Sequence, residues 1–294
     1  MQSDPKLYLE HSAVSQESWW PQIDAILALG RVRLAVSLWN LVEIGGATDR
    51  AQQDRRLAFL DRQNPVWIVE RVDVQHQEVQ RFLWRHHFKV TAADISVFVP
   101  HLSIVDAIRS RSRPRVGITP RAWIDGIDFK NIEEKKKPSP DALNRLQAID
   151  AKTFKRRHGE IFKPWIRPLI PAVDPSGKLL SAAARTELLD HCAANQEAFM
   201  AECPSLAVED ALTAARTADR KRKPKTSDGI DMMHTVVALS YCDHFLVRDK
   251  FARTCCARVK QALGARTLAQ VHADPTSLVH SIKSSAAAPA SNDV

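Results

Sequence analysis

Short apolar runs alternate with helix-like segments along the first hundred residues, and nothing else in the chain restricts its fold as much. KLYLEHSAV (6–14) is an apolar run with an acid at its end, read as a buried strand that leaves its sheet at Glu10. Pro21 stands at a helix start, and QIDAILALG carries apolar residues at helical spacing up to Gly30. RLAVSLWNLVEIGGA reads as a strand from Arg33 to Val36 turning into a helix, which Gly45 and Gly46 either end or break near its start. RAQQDRRLAFLDR is helical and VWIVE (66–70) strand-like, while HQEVQRFLWRHHF is an amphipathic helix with Val79, Phe82 and Leu83 on one side. ISVFVP (95–100) is a strand or a buried turn, and SIVDAIRS a short helix.

From about 112 to 226 the character changes. RSRPRVG, EEKKKPSP, FKPWIRPLIPAVDPSG and KRKPK are rich in proline and basic residues, as loops and boundaries are. Between them, DALNRLQAIDAKTFKRR, LLSAAARTELLDHCAANQEAFM and SLAVEDALTAARTA are helical in composition. Segment 112–226 is therefore read as a basic helical insertion between the two parts, 1–111 and 227–280, of one α/β domain. Strands return only at HFLV (244–247), and 281–294 is expected to be a disordered tail. Strands separated by helices, then helix–strand–helix, call for a three-layer α/β/α sandwich with a mostly parallel central sheet. Ligands of such sheets bind beyond the carboxyl ends of the strands, so the position of each acid becomes informative.

Composition narrows the partners. At 294 residues the chain can bury a sizeable core, and nine glycines with 6% aromatics argue against a β-sandwich or a repeat array. A net charge of +8 favours a polyanion, and nucleic acid is the commonest such partner. The five cysteines (Cys192, Cys203, Cys242, Cys255, Cys256) form no C-x-x-C pair, so neither a disulfide framework nor a zinc site is suggested. MQSDPKLYLE lacks a secretory pattern and no apolar run is long enough for a bilayer, so the expected location is cytoplasmic, away from membranes. Neither a G-x-x-x-x-G-K nor a G-x-G-x-x-G loop is present, which disfavours a nucleotide-driven enzyme.

Four acids fall where the strand-end rule makes them matter. Glu10 sits just after KLYL and Asp249 just after FLVR. Glu43 lies on the helix after RLAV, six positions past Ser37, and Asp231 lies in the first turn of DMMHTVVALS. Hard divalent cations take oxygen ligands, whereas carboxylates gathered without a cation raise each other's pKa. Each acid also has a plainer role. Asp228 and Asp231 suit a helix's first turn, Glu43 a solvated or paired helix position, Asp249 a turn and Glu10 a cap. Their order and spacing carry the metal reading. Asp228 and Asp243 are extra acids able to assist, and His234, three residues after Asp231, either orients a carboxylate or fills a semi-buried position.

In that order and spacing the chain resembles the PIN-domain nuclease family. Its members open with a strand ending in an acid, here LYLEHSAV, and carry a second acid on the helix after a strand and a small residue, here AVSLWNLVEI. A helix–strand unit holds the other two acids; here it is DMMHTVVALSYCDHFLVRD, with Asp231 and Asp249 eighteen residues apart. The resemblance covers roughly 6–90 and 226–265. It implies a PIN-like fold and a metal-dependent endoribonuclease in which Glu10, Glu43, Asp231 and Asp249 hold Mg²⁺ or Mn²⁺. Ser12, Ser37, His234, Asp228 and Asp243 would support them. Glu10 replaces the usual Asp, and His11 and Ser12 stand where Thr and Asn are common.

RNA is the expected substrate, ahead of DNA. A toxin-like or RNA-processing role, an antitoxin or other regulatory partner and a homo-oligomer go with the family. The alternative is a PIN-like module without catalysis, acting in RNA or protein binding; a flap-type DNA nuclease ranks last. KKK (135–137), KTFKRRHG (152–159) and KRKPK (221–225) are solvated loops or track an RNA backbone, with Trp165 or Phe162 offering a stacking surface. Trp19 and Trp20 belong to the core or stack a base near the site.

Overall fold

A computed structural model describes residues 4–99, 119–128, 145, 148, 160–219, 228–264 and 266–287, the side chains of 228–231 and 285–287 excepted. Six strands form one sheet: Lys6–Leu9 (β1), Arg33–Ser37 (β2), Val66–Ile68 (β3), Phe98–Val99 (β4), His244–Leu246 (β5) and Gln270–His272 (β6). Their order is β4-β3-β2-β1-β5-β6, all parallel except the antiparallel edge strand β4. Parallel neighbours need helical crossovers, and these cover both faces of the sheet.

Strand alternation divides the core in two. Tyr8, Ala35, Val66 and Phe245 share one face, with Tyr8 in register with both Ala35 and Phe245. Against it pack Val74 of helix Arg71–His86 (α5), Val208 and Leu212 of Pro204–Thr217 (α9), Val236 and Leu239 of Asp228–Tyr241 (α10), and Cys256 and Val259 of Lys250–Leu263 (α11). Leu7, Leu9, Leu34, Val36, Trp67 and Leu246 point the other way. They meet His11–Val14 (α1), Trp20–Ala28 (α2), Leu38–Gly45 (α3), Arg50–Arg62 (α4), Pro120–Asp125 (α6) and Pro275–Ala287 (α12). Each fully buried aliphatic or aromatic side chain stabilises by roughly 1.5–3 kcal/mol relative to exposure. A third cluster joins Val79, Phe82 and Leu83 of α5 to Leu188 and Leu189 of Ala182–Ala194 (α7), Phe199 of Gln196–Glu202 (α8) and Leu206 of α9.

The strand–helix corners share one chemical device. A polar residue past β1, β3, β5 and β6 accepts hydrogen bonds from the first turn of the next helix, satisfying donors that have no partner within that helix. Glu10 caps α1, Glu70 caps α5 through Val72 N (2.7 Å), and Asp249 caps α11 through Ala252 N (2.7 Å). Asp274 does the same for α12 through Ser277 N (2.8 Å).

Several expectations change. Because Glu70 is a cap, β3 stops at Ile68 and α5 begins at Arg71, five residues before HQEVQ. Gly45 ends α3 rather than breaking it. Strand β6 lies in a stretch read as strandless; it is three residues long, on a sheet edge, with Gln270 exposed. Helix α12 runs through Ala287, into the expected tail. Within 112–226, α9 supplies Val208, Leu212 and Ala215 to the main core, so this piece of the expected insertion is built into the α/β body. SIVDAIRS, all of DALNRLQAIDAKTFKRR but Arg145 and Ala148, and the three basic runs lie outside the described residues. Among the described residues no helix is long and apolar enough to cross a membrane.

Candidate active site

In the sheet, β1 is followed by β2 and β3 on one side and by β5 and β6 on the other. The crevice outside the carboxyl ends of β1 and β5 is thus a topological switch point, where open α/β sheets bind ligands. Glu10 leaves β1 there, and Arg248 and Asp249 follow β5.

Glu10 differs from the other three strand-end caps, Glu70, Asp249 and Asp274, in burial: it is only 6% exposed. Its Oε2 accepts hydrogen bonds from Ser12 N (2.9 Å) and Ser12 Oγ. Ser12 Oγ in turn accepts from Arg248 N (3.1 Å), which stitches the corner after β1 to the exit of β5. Burial pushes the Glu10 carboxyl above its usual range; the Ser12 hydroxyl and His234 pull it down, while the Glu43 carboxylate pushes it up.

Glu43 is positioned by the start of α3. Ser37 N donates to Asn40 Oδ1 (2.9 Å), and Asn40 Nδ2 donates to Leu9 O (2.9 Å), so the first turn of α3 is pinned to the end of β1. One turn further along, Glu43 Oε2 lies 2.7 Å from Nε2 of His234 on α10. His11 Nδ1 stands 3.9 Å from the same oxygen; burial lowers the His11 pKa and Glu43 opposes this. His234 is 1% exposed, and its Nδ1 bonds the Tyr8 hydroxyl, which lies 2.7 Å from Ser37 Oγ. Burial raises the Tyr8 pKa well above that of a free phenol; the Ser37 bond opposes this, and Glu43 and Glu10 add to it. The Tyr8–His234–Glu43 line fits a neutral imidazole that accepts at Nδ1 and donates from Nε2.

The other expected residues separate. Asp249 stands exposed at the same edge and caps α11. Asp243 is at the opposite edge: its Oδ2 accepts from Lys6 N (2.6 Å), tying together the starts of β5 and β1, so it does not join the site. Asp228 and Asp231 stand in the first turn of α10, and their side chains lie outside the described residues. Trp20 stacks on Phe59 at 4.7 Å and donates to Val14 O (2.9 Å), and Trp19 packs against the same cluster. Phe162 is 4% exposed and Trp165 packs partly buried beside it, so both belong to the third cluster and not to a stacking surface. Tyr8 was not singled out from the sequence. Its signal is a phenol in an otherwise aliphatic strand, where a buried hydroxyl needs a partner.

Among the described residues no group of three or more His, Cys, Asp or Glu side chains is arranged to hold a metal ion. Glu10, 6% exposed, and Glu43, with its side chain 15% exposed, still offer two carboxylates, and direct contact with one or two carboxylates, the rest being water, is common for Mg²⁺. Glu10 and Glu43 fit that donor chemistry, and a cation would offset their mutual repulsion. Comparison with known protein families, with curated proteins and with solved structures finds no match.

Proposed function

We propose that the chain is a metal-dependent ribonuclease of PIN-like fold that hydrolyses RNA phosphodiester bonds. The observation that carries this reading is buried Glu10 at the end of β1 with partly buried Glu43 on α3, whose first turn Asn40 pins to that same strand end. When bound, Mg²⁺ or Mn²⁺ supplies positive charge at the phosphodiester and makes water a better nucleophile at neutral pH. Glu10 and Glu43 hold the ion, joined from the first turn of α10 by Asp231 and from the exit of β5 by Asp249. Ser12 fixes the Glu10 oxygen that faces it, and exposed Arg248 adds positive charge for a phosphate beside Asp249. The net charge of +8 draws a polyanion toward the molecule.

The test is cleavage of single-stranded and structured RNAs with Mn²⁺ or Mg²⁺ by the wild type, Asp231→Asn and Asp249→Asn. Metal-dependent cutting that both variants lose supports the assignment. A second reading has its own observation: Glu10 already serves as a cap through Ser12, so its place after β1 also suits a binding module without catalysis. Tight RNA binding that chelator leaves unchanged, with no cutting of any RNA or DNA, would favour that module.

A further inference from the structure

His234 is buried to 1% exposure between two groups that need it for different reasons. Its Nε2 reaches Glu43 Oε2 at 2.7 Å, on the side of the candidate site. Its Nδ1 reaches the Tyr8 hydroxyl in the sheet, backed by Ser37 Oγ 2.7 Å beyond. Three elements are thus linked in one line: β1 through Tyr8, the β2–α3 corner through Ser37 and Glu43, and α10 through His234. A neutral imidazole has one N–H and one acceptor nitrogen, so the partner on one side decides what it offers the other.

We propose that His234 is a positioning residue for Glu43, with Tyr8 fixing the tautomer that lets Nε2 donate to the Glu43 carboxylate and set its orientation for a divalent cation. This rests on the metal-dependent reading above and adds residues that share no carboxylate chemistry with the four acids. A histidine retained only to fill the core beneath α10 would need the Tyr8 contact and not the Glu43 one. The two roles are separable by isosteres, because the amide nitrogen of Gln reaches the place of Nε2 and an Asn side chain reaches only the place of Nδ1.

The experiment is calorimetric titration of the full chain with Mn²⁺ alone, for wild type, His234→Gln, His234→Asn and Tyr8→Phe, with thermal melting of each. His234→Asn is expected to weaken Mn²⁺ binding about 10- to 100-fold, the usual effect of removing a group that orients a metal-binding side chain. His234→Gln should bind close to wild type, and Tyr8→Phe should fall between them. Equal Mn²⁺ affinity in the Gln and Asn variants overturns the proposal. If the Asn variant does not fold, Tyr8→Phe decides, and wild-type affinity there overturns it. Wild-type protein that binds no Mn²⁺ removes the metal-dependent reading itself, and this proposal with it.

Discussion

Glu78 shows what a single buried carboxylate can organise. It is 0% exposed and accepts from Ser205 N (2.8 Å), Ser205 Oγ (2.8 Å), Tyr241 Oη (2.6 Å) and Leu206 N (3.4 Å). These bonds cap α9 and bind it to α5 and α10, and they offset a burial that by itself pushes the carboxyl pKa up. Glu78→Ala leaves four donors without their acceptor and should cost about 3 kcal/mol or more in urea unfolding. Glu78→Gln keeps one acceptor oxygen and should cost clearly less. Equal losses would refute the capping account. His272 makes a pH-dependent prediction. Burial lowers its pKa to about 4, helped by His244 and Lys260 and opposed by Asp274; its Nε2 lies 3.1 Å from His244 Nδ1. The unfolded chain takes up this proton near pH 6.5 and the folded one near 4, so stability is complete above the first value and is lost as pH falls between them. His272→Gln should flatten the slope of urea-unfolding free energy between pH 6.5 and 4. An unchanged slope would place the acid sensitivity elsewhere.

The strand–helix corners decide what was visible beforehand among the elements. Strands β1, β2 and β5 are buried on both faces, so they read as plain apolar runs ahead of helical segments, and Glu10 and Asp249 were found at their ends. Strand β6 was hidden because an edge strand of three residues pairs on one side only and keeps Gln270 in water. The Tyr8–His234–Glu43 line was only partly visible, since its partners are brought together by packing that no local spacing encodes. Helix α9 looked like an insertion for the same reason: Val208 and Leu212 reveal an apolar face without revealing which sheet face it covers. Asp249 supplies the test at this scale, because it is both a cap and a proposed metal-binding acid. Asp249→Asn keeps a capping oxygen and should melt like wild type while losing cleavage, whereas Asp249→Ala should also lose about 1 kcal/mol of stability. If Asn and Ala lose the same stability, the cap is not what Asp249 supplies.

At the scale of the whole molecule, helices cover both faces of a mostly parallel sheet whose topological switch point falls at the carboxyl ends of β1 and β5. All five cysteines are free and buried, in keeping with a chain stabilised by its core and not by disulfides. Burial lifts the Cys192 and Cys256 thiols to about 12, which keeps them protonated and unreactive. On the proposed reading, the net charge of +8 would favour a polyanion, and Glu10 and Glu43 would hold the cation that phosphodiester chemistry uses. The most direct measurement is cleavage of single-stranded RNA by wild type and Glu43→Gln across a Mn²⁺ titration, with a chelator control. The account predicts cutting by wild type that rises with Mn²⁺, stops with chelator and is absent in Glu43→Gln. Cutting that ignores the metal, or that Glu43→Gln performs as well as wild type, would contradict it.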